Sequence, residues 1–225
     1  MASFGAKCPY FAKITDEPEG QLPTYDGNPQ RIGRLVKAEL SATMASGKLY
    51  ADDGLAESVE EFVSGTLGME TDDMTDEVAS NVYGAEVKDK EVHYTSSDSA
   101  PVGGLTYYKV LKRRGKTVFK GYFYPRVQAA LGNDTAQTKT DSITFGTTNT
   151  NFTVFPCESG DWRITREFDK ENEAQDWVKE KLGKKSTDAG GDTPPSGEET
   201  TGGEDDLPGT SDASGFPTAA GPLKV

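Results

Sequence analysis

GRLVKAELSATM, residues 33–44, alternates apolar and polar side chains without a break from Val36 to Met44. Val36, Ala38, Leu40, Ala42 and Met44 take one face, and Lys37, Glu39, Ser41 and Thr43 take the other. A period of two predicts a strand with one buried and one wet face. The same period recurs over residues 58–69. Val59, Val63, Leu67 and Met69 share a face there, while Ser58, Glu60, Ser64 and Thr66 look the other way. Phe62 interrupts the polar face and Glu61 the apolar one. A helix is the poorer reading, because Gly65 and Gly68 would each cost it about 1 kcal/mol. The two segments read as long antiparallel strands joined by a loop over residues 46–57.

Working outward, GLTYYKVLKRRGKTVFKGYFYPRV (residues 104–127) holds two aromatic and β-branched runs about Arg113-Arg114-Gly115-Lys116, which predicts a hairpin. Further strands are predicted near residues 8–14, 91–96, 138–147, 150–156 and 161–168, each rich in Thr, Ile, Val or an aromatic residue. Two helices punctuate them. The first covers residues 72–83, with Thr71 as cap, Met74, Val78 and Val82 on one face and Gly84 as the stop. The second starts from Asp169 as cap and runs through Ala174, Trp177, Val178 and Leu182 to Gly183, with acids early and lysines late. The fold class is therefore mainly β (α+β), an antiparallel sandwich or barrel with long strands, a hairpin and two short flanking helices.

After Gly183 the composition changes to Gly, Pro, Ser, Thr and acids, with almost no aromatic or β-branched apolar residues. Residues 1–184 are expected to form one domain, and residues 185–225 an acidic, flexible tail. From Ser186 onward eight acids face the single Lys224, so more than half of the net charge of −13 belongs to the tail. The overall acidity argues against a protein that grips nucleic acid, since phosphate contacts need Lys and Arg. Two cysteines set far apart, Cys8 and Cys157, and no hydrophobic leader fit a reduced, cytosolic chain. No apolar run has the length of a membrane span.

Little in the sequence points to catalysis, a metal or a cofactor. The single histidine, His93, removes most zinc sites and triads, and it lies in a predicted strand. Asp52-Asp53-Gly54 with Glu57 lacks the alternating ligands and closing bidentate acid of a calcium loop. The acids between residues 52 and 73 are too dispersed for a glycosidase pair. Cys157 has no basic partner in sequence to activate it. The basic turn Lys112, Arg113, Arg114 and Lys116 fits a solvated tip or a salt-bridged subunit contact better than a nucleic-acid footprint. Leu207-Pro208-Gly209-Thr210-Ser211 departs at its last residue from a sortase signal, and no hydrophobic segment with a basic end follows it.

The order of pieces carries more information than any one of them. CPYFAKI, GRLVKAELSATM, LYADDGLAE, the strand ending at Met69, the helix closed by Tyr83-Gly84, Pro101 with GGLTYY, TFGT at residues 144–147, Asp161-Trp162 and the closing EAQDWV follow one another over roughly residues 6–182. This resembles the phage major tail protein family, the tail tube proteins of long non-contractile tails, and LYADDGLAE is its most specific piece. The resemblance implies a structural virion protein without enzymatic activity or cofactor, assembled in the bacterial host cytoplasm. Its subunits would form hexameric rings that stack into a tube, meet a tape measure protein and tail-terminal proteins, and pass DNA without binding it specifically.

Within that frame Glu39, Ser41, Thr43, Ser58, Glu60, Ser64 and Thr66 are expected to face the lumen, and Asp52, Asp53 and Glu57 to reach Arg113 and Arg114 of an adjacent subunit. The C-terminal tail, a departure from many members, is expected outside the tube. A tube protein of a contractile tail or injection device shares these features and stays open as an alternative. A bacterial surface adhesin of the β-sandwich class is a more distant one.

Overall fold

The computed structural model describes residues 2–51, 54–89, 91–131 and 146–184. In chain order the strands and helices are β1 (Ala2–Asp16), β2 (Thr24–Tyr25), β3 (Gln30–Arg31), β4 (Leu35–Ala51), β5 (Gly54–Thr71), α1 (Asp76–Tyr83), β6 (Glu86–Lys88), β7 (Glu91–His93), β8 (Val102–Arg113), β9 (Lys116–Leu131), β10 (Thr148–Phe155), β11 (Ile164–Phe168) and α2 (Glu171–Glu180). The protein is mainly β and antiparallel, as its period-two patterning requires. The main sheet runs β2-β1-β8-β9-β10-β5-β4, with β3 beside β1 and β11 beside β9; β6 and β7 form a separate hairpin.

The β8–β9 hairpin is the spine of the sheet and is buried on both faces. Arg113 pairs with Lys116 across the two-residue turn Arg114-Gly115, whose φ values of 50° and 84° mark the left-handed conformation that tight hairpins need. On the concave face Leu105, Tyr107, Tyr124 and Val127 join Phe11 of β1, Leu67 and Met69 of β5, and Phe152 and Val154 of β10 in one core. The rings of Phe11 and Phe152 lie 6.2 Å apart although β8 and β9 separate their strands, so the sheet curls until its halves meet. Helix α1 closes this core with Ala79, Val82 and Tyr83, and the Tyr83 hydroxyl bonds the buried Thr150 Oγ1 at 2.6 Å.

Helix α2 covers the convex face. Ala174, Trp177, Val178 and Leu182 pack on Tyr108, Val110, Phe123 and Phe168. Thr106 Oγ1 donates to the Val178 carbonyl at 2.9 Å. Gly121 is the seat of Trp177, and a Cβ there would come within 2.5 Å of Trp177 Cζ3. The start of α2 is tied to the sheet by Glu171, whose Oε1 accepts from Tyr108 Oη at 2.7 Å and from Lys7 Nζ at 2.9 Å. The bond from Lys7, then that from Tyr108, holds the Glu171 carboxyl below its ordinary value of 4.5. A depressed folded value contributes stability above the unfolded value and loses it as the pH falls through the folded one. Acid unfolding below about pH 4.5 should therefore be less steep in Glu171→Gln than in the parent. Identical slopes in chemical denaturation from pH 5 to 3 would remove this tie from the account.

Several boundaries differ from the sequence reading. The segment over residues 46–57, expected as a loop, continues both strands, with β4 running to Ala51 and β5 restarting at Gly54. Thr71 does not cap α1; it ends β5, paired with Leu35 and Thr148. The helix starts four residues later than expected, at Asp76, because Asp72 is engaged in a turn. Its Oδ1 accepts from Arg34 N at 2.7 Å and from Asp73 N at 2.9 Å, local bonds that compete with helix. Gly84 ends α1 with φ 77°, as expected. The cap position of α2 is Lys170, one residue past Asp169. Most of the strand expected over residues 138–147 lies outside the described residues, and β10 begins at Thr148.

Candidate functional site

Strands β4 and β5 build a hairpin far longer than the rest of the sheet needs. Its base carries the polar face expected from the alternation. Glu39 lies opposite Gly68, Ser41 opposite Thr66 and Thr43 opposite Ser64, which puts Glu39, Ser41, Thr43, Ser64 and Thr66 on one surface. Strand β10 widens that surface with Asn149, Asn151 and Thr153, paired with Glu70, Gly68 and Thr66. The sequence reading passed over these three. Their signal was present in TNTNFTVF, where Thr150, Phe152 and Val154 turn inward and the residues between them turn out. Lys37 Nζ sits 2.6 Å from Glu39 Oε2, and its hydrogen bond holds the Glu39 carboxyl below the usual range. The surface is thus mostly hydroxyl and amide, with the lysine paired to a neighbouring acid.

Ser58 and Glu60 do not belong to it. Thr43 pairs with Ser64, but the next residue, Met44, pairs with Phe62, leaving Val63 as an extra residue in β5. Such a bulge exchanges the two faces beyond it. Phe62, which interrupted the polar face in the sequence, therefore joins the side of Leu67 and Met69, and Ser58 and Glu60 follow it. Burial of the aromatic ring rewards the shift. Phe62 stacks on Trp162 with centroids 4.1 Å apart and planes 9° from parallel, and Arg163 Cζ lies 4.6 Å from the Trp162 centroid on that ring. A second bulge at Val36, between the pairs Leu35–Thr71 and Lys37–Glu70, puts Leu35 against the core and leaves Val36 exposed.

Beyond Met44 and Phe62 the hairpin leaves the body. Met44, Leu49, Val59 and Val63 are 48%, 59%, 48% and 51% exposed, so the face expected to be buried is covered only as far as Leu40 and Leu67. The seven steps from Met44 to Ala51 reach about 23 Å at ~3.3 Å per residue. Glu57 lies opposite Leu49 on this arm and is exposed. Asp52 and Asp53 lie outside the described residues. Of the basic residues expected as their partners, Arg114 is exposed in the β8–β9 turn. Arg113 is held within its own chain, donating from Nη1 and Nη2 to Glu167 Oε2 and Oε1 at 3.1 and 3.0 Å. That fork-on-fork geometry already occupies the guanidinium edge that another carboxylate would use.

The residues weighed for chemistry are dispersed. His93 is exposed on β7, 3.6 Å from Glu91 Oε2. Cys157 is buried, with its Sγ donating to the Asp161 carbonyl at 2.9 Å in a tight turn. Among the described residues no group of three or more His, Cys, Asp or Glu side chains converges on a metal position. No described helix is long and apolar enough to cross a membrane. The described residues present a polar sheet face, a projecting half-apolar arm and, at β4, a sheet edge with no described strand beyond it. A scan against protein-family models finds no match, and a search of curated proteins finds no relative.

Proposed function

We propose that the chain is the subunit of a phage tail tube, a structural protein that polymerises as stacked hexameric rings and conducts DNA. The observation that carries this reading is the β4–β5 arm, which keeps four large apolar side chains about half exposed in the single subunit. Such a surface marks an association site. Among the described residues β4 pairs along one side only, with β5, and residues 2–7 of β1 pair only with β8. Two different open edges on one subunit favour head-to-tail contacts between copies, and rotation about an axis closes those contacts into a ring with no edge left over.

The polar face of Glu39, Ser41, Thr43, Ser64, Thr66, Asn149, Asn151 and Thr153 then lines the lumen. Hydroxyls, amides and a carboxylate offer DNA phosphates no cationic grip, and the pairing of Lys37 to Glu39 mutes the lysine closest to them. DNA would slide past such a wall. The apolar arm packs on a neighbour and stays out of water.

Negative-stain electron microscopy of the purified chain, alone and with tail-initiation components, tests the reading directly. Hollow tubes of stacked rings are expected. A chain that remains monomeric under both conditions overturns the proposal. Reversing charge with Asp52→Lys and Asp53→Lys is expected to stop tube growth while leaving the melting temperature within a few degrees, a change of about 0.5 kcal/mol or less. Tubes of normal length from that variant would take these two acids out of the contact.

A further inference from the structure

The concave sheet face beyond the core carries a concentration of positive charge that is unusual for a chain of net charge −13. By register, Lys109 of β8 lies directly opposite Lys120 of β9, and Arg113 opposite Lys116 two rows further on. Like charges in directly opposed positions destabilise a sheet. Arg163 adds a fifth cation from the turn before β11. Glu167 is the described carboxylate among them, bonded to Arg113 and 3.9 Å from Lys120 Nζ.

Aromatic rings lie between these cations. Lys109 Nζ is 5.3 Å from the centroid of Tyr122 and 5.8 Å from that of Tyr107, and Lys120 Nζ is 5.9 Å from Tyr122. The two rings stack at 5.1 Å. Among the described residues Lys109 has no ion pair, and it is half-buried beside like charge. Burial, then the Arg163 guanidinium, pulls its ammonium below the usual lysine range. The site is an electrostatic half, short of carboxylates.

The β4–β5 arm is the other half. Glu57, Val59 and Glu61 alternate along one face of β5 beyond the bulge, opposite Leu49, Gly47 and Ala45, so that two acids about 13 Å apart bracket an apolar side chain. Glu60 projects from the other face. Glu57, Glu60 and Glu61 are exposed and, among the described residues, make no ion pair within their own subunit. The facing surface follows the same order, with Lys109 and Lys120 in one row, Tyr122 in the next row on that face, and Arg163 beyond it, just before the Ile164–Phe123 pair.

We infer that the face formed by Lys109, Lys120, Tyr122 and Arg163 receives the acidic arm of a second copy of this chain, with Glu57 and Glu61 on the cations and Val59 on the Tyr122 ring. This rests on the tube reading and names the contact that would hold neighbouring subunits. It also relocates the arm's target from the turn at Arg113 and Arg114 to the desolvated part of the sheet. Carboxylates gain more there, because water screens the pair less.

The test is a charge swap in the full chain, scored by sedimentation velocity and negative-stain microscopy over a concentration series. One variant carries Lys109→Glu and Lys120→Glu; the other carries Glu57→Lys and Glu61→Lys, positions exposed enough that folding is not at stake. Near-UV circular dichroism checks that the first retains its tyrosine packing. Each variant alone is expected to need at least about tenfold more protein to assemble than the parent. The equimolar mixture should assemble near the parent concentration, because every arm then meets a face of opposite sign. If the parent forms tubes and the arm variant assembles as readily, or the mixture fails to recover, this inference is overturned and the tube reading stands. A parent that forms no assembly overturns both.

Discussion

Replacing residues 47–59 with an Asn-Gly turn, which joins the paired Ser46 and Glu60, should yield a subunit that folds normally and never assembles. The cut falls beyond Met44 and Phe62, the outermost row of the hairpin that touches the body through the Phe62–Trp162 stack. Asn-Gly supplies the left-handed pair that a two-residue hairpin requires. The removed segment includes Leu49 and Val59, two of the exposed apolar side chains, and its described residues Lys48, Glu57 and Ser58 are exposed as well. Loss of it should shift the melting temperature by only a few degrees, within the range of exposed changes. Assembly should disappear altogether, since the same residues would be the contact. Circular dichroism melting and sedimentation velocity on one preparation separate the two effects. Tubes of ordinary appearance from the shortened chain would show that the arm is an ornament and that the open sheet edges suffice.

The largest stability effect should come from Trp177→Ala. Trp177 is buried between Gly121, Phe168 and the lysine stem of Lys181, with its ring 5.7 Å from that of Phe168. Truncating a buried aromatic residue costs about 3–5 kcal/mol, a large share of the ~5–15 kcal/mol that holds a domain together. Helix α2 would lose its main anchor on β8 and β9, and the bonds that Glu171 accepts from Lys7 and Tyr108 hold only its first turn. Gly121→Val gives the converse result. In the parent it clashes with the indole, whereas in Trp177→Ala it fills part of the void. Denaturant unfolding of the two single variants and the double variant should show a coupling of opposite sign to simple addition. Additive losses would mean that the indole does not rest on Gly121.

Much of the fold was legible in the sequence because it is local. Alternation in LVKAELSATM and TNTNFTVF, the Arg-Gly turn at 114–115 and the Gly84 stop each express a backbone preference acting over a few residues, and all four appear in the structure. Five residues of the expected polar face also gather as expected. The other two fail for a reason that alternation cannot carry. Phe62 was the clue, an aromatic residue on the wrong side of an otherwise clean pattern.

The amino-acid sequence by itself determined a mainly β protein, its long antiparallel pair, its central hairpin and its two helices, since period and turn chemistry are written residue by residue. Only the tertiary structure decided where the faces exchange. A bulge at Val63 exists because Phe62 finds Trp162, a residue one hundred positions away, and the stack outweighs one lost row of the ladder. The tertiary structure likewise decided that Arg113 is spent on Glu167 and that Lys109 and Lys120 face each other across tyrosine rings. Those are questions of register between strands, and register is set by packing across the whole sheet.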